Sequence, residues 1–175
     1  MAQLPGVVTS AKVSVAEPQA SLAVGVLKNP SKFDFIVEKA TELGVKEIIP
    51  LLSERAIARH ARTGRWQKLA LAAMKQCGRA YLPVVRELTP FDELIGCYAQ
   101  FDLSLVAHEG AGDAGDPGLG NHDYRSAGVL VGPEGGFSES EISRAVAAGW
   151  KLLYFGERRL RSETAAVAAC VKLLV

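Results

Sequence analysis

Residues 131–141 read Val-Gly-Pro-Glu-Gly-Gly-Phe-Ser-Glu-Ser-Glu. The apolar run that leads into them, Gly128–Val131, reads as a buried strand. Ser138 and Glu141 then make the S-x-x-E box that opens a helix, expected over 138–148. Between strand and helix stand three glycines, a proline and a carboxylate. Glycines at the C-terminal end of a strand let a ligand approach the backbone, at the edge where α/β sheets bind small molecules. The stretch lacks both the GK[ST] of a phosphate loop and the GxGxxG of a dinucleotide fold. It can be read as an ordinary tight βα turn. Glu134, which no turn geometry requires, points instead to a site.

The same strand–turn–helix pattern repeats downstream. Lys151–Phe155 reads as a strand, and Ser162–Val175 as an alanine-rich helix. Between them, Gly-Glu-Arg-Arg-Leu-Arg (156–161) packs three arginines before the helix start, where Glu163 complements the dipole. Upstream, Ser21–Leu27 and Val45–Leu52 are short apolar runs consistent with strands. Pro50 cannot donate to a ladder and is expected near its strand's end. Between these runs, Phe33, Ile36/Val37, Ala40 and Leu43 recur at helical spacing, with Ser31 the expected N-cap and Gly44 the stop. Glu38 and Glu42 share a face of that helix, either as a carboxylate pair or as ordinary surface acids. A second helix is expected over 65–79, with Trp66, Leu69/Ala70, Ala73 and Cys77 on its inner face. Val84–Leu88 and Leu103–Ala107 read as strands, Pro90–Ile95 as a helical turn or two, and 7–15 as a weak strand. GAGDAGDPGLG (110–120) reads as a mobile surface loop. Alternating strands and helices argue for an α/β domain with a mostly parallel sheet.

The chain has 175 residues, enough for one domain with a core of its own. Apolar residues make up 49% and charged residues 22%, as in soluble globular proteins. No apolar run approaches the roughly 18 residues of a membrane span. The first ten residues have neither the basic nor the apolar region of a signal peptide. Cys77, Cys97 and Cys170 form no CxxC and read as reduced thiols. Three scattered histidines offer no metal-ligand spacing. The net charge of +1 hides segregation. From Arg55 to Arg86 the chain carries Arg55, Arg59, Arg62, Arg65, Lys68, Lys75, Arg79 and Arg86 and no acid. From Glu87 to Asp123 it carries acids and no Lys or Arg. Such a basic run is either a solvated helix surface or a face that tracks phosphate.

Taken together the segments are specific. K-A-T-E-L-G-V (39–45), I-I-P-L-L-S-E-R (48–55), Q-C-G-R (76–79) with Pro83 beyond it, V-G-P-E-G-G-F-S (131–138) and L-R-S-E-T-A (160–165) stand in this order. They resemble the RsmE family of 16S rRNA uridine-N3 methyltransferases, over about residues 22–175. The resemblance implies a SPOUT-type α/β fold, a mostly parallel sheet flanked by helices, with a C-terminal deep trefoil knot. It also implies a cytoplasmic homodimer with its active site near the interface, S-adenosylmethionine (AdoMet) as cofactor, no metal, and 16S rRNA or the small ribosomal subunit as partner. Family members carry an N-terminal PUA-like RNA-binding domain. Residues 1–20 are expected to be its remnant or a linker, and 21–175 the methyltransferase domain.

By the same resemblance the cofactor lies in the knot. Its walls would be Leu105, His108 and Glu109, then Gly132, Pro133, Glu134, Gly135 and Gly136, then Phe155, Gly156, Arg159, Leu160 and Arg161, with Thr164 and Ala165. Arg55, Arg59, Arg62, Arg65 and Arg79 would bind RNA. Methylation of uridine N3 requires its proton to leave, which calls for a base or a stabiliser of the imide anion. Arg161 is the expected stabiliser. Glu163 and Glu134 are candidates for the base or for orienting Arg161. Paired RNA hides N3, so the target base must be single-stranded or splayed out. Three other readings stay open: the same fold acting on another RNA such as tRNA, a non-catalytic RNA-binding relative, and a nicotinamide enzyme, which the missing GxGxxG disfavours.

Overall fold

β1 (Gln19–Gly25) buries six of its seven residues, the signature of a strand covered on both faces. A computed structural model describes residues 19–98, 101–110, 112, 119 and 124–175. After β1 come α1 (Pro30–Leu43), β2 (Glu47–Leu52), α2 (Thr63–Cys77), β3 (Val84–Val85), β4 (Thr89–Pro90), α3 (Phe91–Tyr98), β5 (Leu103–Ala107), β6 (Ser126–Val131), α4 (Glu139–Ala147), β7 (Lys151–Leu153) and α5 (Ser162–Leu174). The strands form one seven-stranded sheet in the order β3-β2-β1-β6-β5-β7, with β4 also beside β2. Every pairing is parallel. This is the mostly parallel, helix-flanked sheet expected from the sequence.

Period-two alternation sends successive side chains to two cores. Leu22, Val24, Ile48, Leu105, Val129, Val131 and Leu153 face one layer with Phe33, Trp66 and the alanines of α5. Ala23, Ile49, Leu51, Val106 and Leu130 face the other, with Phe91, Leu94, Ile142 and Trp150. The small side chains Ala165, Ala166 and Ala169 are buried, which lets α5 lie close against its neighbours. Phe33 stacks on Trp66 at 4.0 Å between ring centroids and joins α1 to α2.

Several local expectations change. α1 is capped by Asn29, not Ser31: its side chain accepts from the Ser31 N–H, and Pro30 takes the first helical position. Gly44 ends the helix at φ 107°, as expected. Pro50 lies two residues from the end of β2, as expected. It falls between the pairings to β3 (at Glu47 and Ile48) and to β4 (at Leu51 and Leu52), so its missing donor breaks no rung there. Cys77, the last residue of α2 before its Gly78 cap, is exposed rather than on the inner face. The strand expected at 84–88 shortens to 84–85, and a second short strand, 89–90, follows it. Glu38 and Glu42 are surface acids that share the Lys39 ammonium, each at 2.9 Å. The expected strand at 7–15 lies outside the described residues, as does most of the 110–120 loop. The C-terminal trefoil knot stays an expectation of the resemblance.

Candidate active site

The C-terminal ends of β5, β6 and β7 lie side by side, and the turns that leave them enclose a cleft of about 510 Å³. One wall is Ala107–Glu109, the second is Val131–Phe137, and the third is Tyr154–Arg161 with the start of α5. Lys32 of α1, Arg55 just past β2 and Glu139 of α4 complete the lining. The site therefore sits where open α/β sheets place their ligands.

The 132–137 turn is built by what its residues lack. A Cβ on Gly132 would stand 2.9 Å from the Gly136 carbonyl carbon, so the turn closes only around glycine. Gly136 takes φ +66° and its N–H donates to Pro133 O at 2.8 Å. Two outside groups strap the turn. The Lys28 N–H donates to Glu134 Oε1 at 3.0 Å, and Arg55 Nη1 donates to Gly135 O at 3.0 Å. Behind it the capping box forms as expected. Glu141 accepts the Ser138 N–H at 2.9 Å, and its other oxygen accepts the Glu54 N–H at 2.8 Å. That second bond, unreadable from the sequence, ties the α4 start to the end of β2.

Gly156, at φ +93°, turns the chain after β7. Arg159 reaches Glu109 at 3.0 Å across the exposed rim. Arg161 sits at the N-cap position of α5 with an exposed side chain and makes no side-chain cap. Two residues on, the Glu163 side chain is only 16% exposed. Lys32 Nζ stands 3.1 Å from Glu163 Oε1. Oε2 is buried with no hydrogen-bond partner among the described residues. Burial by itself pushes the Glu163 carboxyl up. Its own backbone N–H, the Lys32 ammonium and the Arg161 charge outweigh this and hold it below the usual carboxylate range. Glu163 is thus an anion with one oxygen still lacking a donor, a costly arrangement in the absence of a ligand.

Of the expected cofactor residues, all but two line this cleft. Leu105 is fully buried in the core, two residues short of the edge where Ala107 and His108 emerge. Thr164 is exposed on α5 and lies outside the lining, because the helix turns it away while Glu163 and Ala165 face in. Arg161, Glu163 and Glu134 come together at the cleft as expected. The RNA-binding set divides. Arg59 and Arg62 are exposed, and Arg55 belongs to the cleft. Arg65 grips Asp34 through Nε and Nη2. Arg79 gives its guanidinium to main-chain oxygens: Nη1 donates to Thr41 O at 2.7 Å and Val45 O at 3.1 Å, and Nη2 to Gly44 O at 2.9 Å. It caps the C-terminus of α1, a structural role for that guanidinium.

The sequence reading missed Lys32, Val131, Phe137, Glu139, Tyr154 and Ser162 in the lining. For all but Lys32 the available signal was positional, since each lies at a strand end or a helix start beside a glycine-containing turn. The donor set fits a cationic, adenosine-bearing cofactor. Close turns such as 132–136 admit flat groups against backbone, and a buried carboxylate oxygen waits for a positive or hydrogen-donating partner.

Residues 15–174 match the RNA methyltransferase domain family. The chain is 30% identical over 158 residues to ribosomal RNA small subunit methyltransferase E of Mesomycoplasma hyopneumoniae, covering 87% of this chain and 68% of that protein. It is 29% identical over 160 residues to the Bacillus subtilis protein of the same name, covering 85% and 62%. A solved structure of the Neisseria gonorrhoeae ribosomal RNA small subunit methyltransferase E, bound to S-adenosyl methionine, superimposes with a TM-score of 0.80 at 33% identity over 88% of this chain and 64% of that one. The chain thus spans between three fifths and about two thirds of these proteins' length.

Proposed function

We propose, from the premise that this chain belongs to the ribosomal RNA small subunit methyltransferase E family, that it transfers a methyl group from AdoMet to N3 of a uridine in 16S rRNA. The observation that carries this is the cleft itself, where two glycine-containing turns and a partly satisfied carboxylate meet at the C-terminal edge of a parallel sheet. When bound, AdoMet supplies an electrophilic methyl on a sulfonium. The turns at 132–136 and 154–160 would hold the cofactor with backbone groups. Arg161, exposed at the cleft, offers a fixed positive charge to O2 or O4 of the uracil and lowers the cost of the imide anion. Glu134 serves the site by tying the glycine turn to the Lys28 amide. Glu163 is held ionised, below the range of an efficient general base, so its proton-accepting role is secondary to its charge.

Arg55, Arg59 and Arg62 track phosphate on the way to the cleft. The working assembly is a homodimer with the cleft near the interface, acting where ribosomal subunits are assembled, in the cytoplasm. No helix among the described residues is long and apolar enough to cross a membrane.

Two measurements test this reading. Calorimetry should detect AdoMet binding, and nucleoside analysis of 16S rRNA incubated with protein and AdoMet should show 3-methyluridine. A chain that binds no AdoMet fails the proposal. One that binds it and methylates only tRNA moves the target, and the family fold stands.

A further inference from the structure

Five cationic side chains line the cleft: Lys32, Arg55, Arg158, Arg159 and Arg161. A sulfonium entering such a site meets repulsion unless acids offset it. Glu109 is engaged by Arg159 at the exposed rim. Glu134 takes the Lys28 N–H, and Glu139 is exposed in the first turn of α4. Glu163 alone among these acids combines depth with an open acceptor: Oε1 meets Lys32 at 3.1 Å, while Oε2 is buried and unpartnered among the described residues.

We propose that Lys32 and Glu163 form a charge-selecting pair, in which Glu163 supplies the counter-charge that favours a sulfonium ligand over its neutral thioether and Lys32 partly offsets that charge. The proposal rests on the AdoMet reading above. It adds Lys32, which no sequence motif marks, and a physical basis for releasing product. Methyl transfer breaks the carbon–sulfur bond, the electron pair stays on sulfur, and the ligand loses its positive charge. The attraction to Glu163 then falls, and S-adenosylhomocysteine (AdoHcy) leaves a site that no longer favours it.

The test compares AdoMet with AdoHcy by calorimetry on the full chain. The two ligands share adenosine, amine and carboxylate and differ at sulfur. The quantity read is the Kd for AdoHcy divided by the Kd for AdoMet. Local charge orders the variants. Glu163→Gln removes the anion and leaves Lys32 uncompensated, so the ratio should fall about tenfold while AdoHcy affinity stays near its starting value. Adding Lys32→Met to that variant should restore part of the ratio. Lys32→Met alone should leave the ratio equal to or above the parent's. If Glu163→Gln does not fold, as read by circular dichroism, Lys32→Met alone carries the test, and a fall in the ratio refutes the pair. A ratio unchanged in folded Glu163→Gln, or an equal loss of both ligands, overturns the inference and makes Glu163 merely structural. If the parent binds neither ligand, the AdoMet reading itself has failed, a result distinct from either.

Discussion

Replacing Arg79 by methionine should weaken the fold and leave the salt dependence of RNA binding unchanged. The methionine keeps most of the apolar stem and removes the guanidinium. That group makes three hydrogen bonds, of 2.7, 2.9 and 3.1 Å, to the carbonyls of Thr41, Gly44 and Val45. Hydrogen bonds from a charged donor contribute roughly 1.5–3 kcal/mol each, and a cation at a helix C-terminus adds about 0.3–1 kcal/mol. Water can reach some of these partly exposed oxygens in the variant and recovers part of that. A net loss of about 3 kcal/mol follows, or about 6–12 °C in Tm for a chain of this size. Urea unfolding followed by the fluorescence of Trp66 and Trp150, both buried, reads it as a lower midpoint at constant slope. RNA binding measured across a salt series supplies the control. If Arg79 neutralised a phosphate, its removal would lower the log–log salt slope by about 0.7–1. Arg62→Met, at an exposed arginine, should show that decrease with little effect on stability. An Arg79 variant with normal stability and a reduced slope would refute the capping role.

Gly25→Ala places a Cβ 2.4 Å from Pro133 Cδ and 2.5 Å from Pro133 N, so the glycine turn must shift. We expect overpacking of about 1–3 kcal/mol by melting and a weakening of AdoMet binding by about tenfold by calorimetry; unchanged cofactor affinity would show that the turn is not part of the cofactor site. Arg161→Ala should lower turnover about 10²–10³-fold while sparing AdoMet affinity, read by steady-state kinetics beside calorimetry. Loss of cofactor binding together with unfolding would make it structural. Asp34 is held below its usual range first by the hydrogen bond from Arg65, with Trp66 adding to it. A lowered folded-state value contributes stability above the unfolded value of about 3.9, which is lost as pH falls through the folded one. Asp34→Asn should therefore be less stable than the parent at pH 6, with the gap closing below about pH 3.9; a gap constant with pH would show that the ion pair does not drive it.

The sheet was legible because a parallel strand buried on both faces leaves an unbroken apolar run. Such runs mark β5 at its observed bounds, 103–107, and β1 and β6 within about two residues of theirs. The Ser138 box was legible because both partners lie three residues apart. What failed were choices between local equals. Asn29 and Ser31 are both good caps, and Pro30 between them settles the matter only once its place at the first helical position is recognised. Arg79 reads with the basic run because spacing cannot tell a guanidinium facing solvent from one facing carbonyls 34–38 residues away. Leu105 reads as the edge of the site because the run LSLVA does not reveal where the sheet ends. Its partner pairing with Lys151 shows that it does not end there.

The segment between β1 and α1 carries no conspicuous motif, yet the site depends on it. Glycines and arginines mark the turns that offer space, at 132–136 and 156–161. The acids in and just beyond those turns are nevertheless held from elsewhere, Glu134 by the Lys28 amide and Glu163, in the first turn of α5, by the Lys32 ammonium. Gly25, at the end of β1, gives Pro133 the room to lie against it. β1 is paired on both sides, and α1 is packed on α2 and capped by Arg79. A stretch that looks like plain connection is thus the rigid post of the site, and the turns with conspicuous sequence are what it holds. Loosening α1 through Arg79 should therefore weaken cofactor binding as well as stability, although Arg79 lies outside the cleft lining. A variant that is destabilised yet binds AdoMet with parental affinity, at a temperature where both are folded, would show that the post and the cleft are mechanically independent.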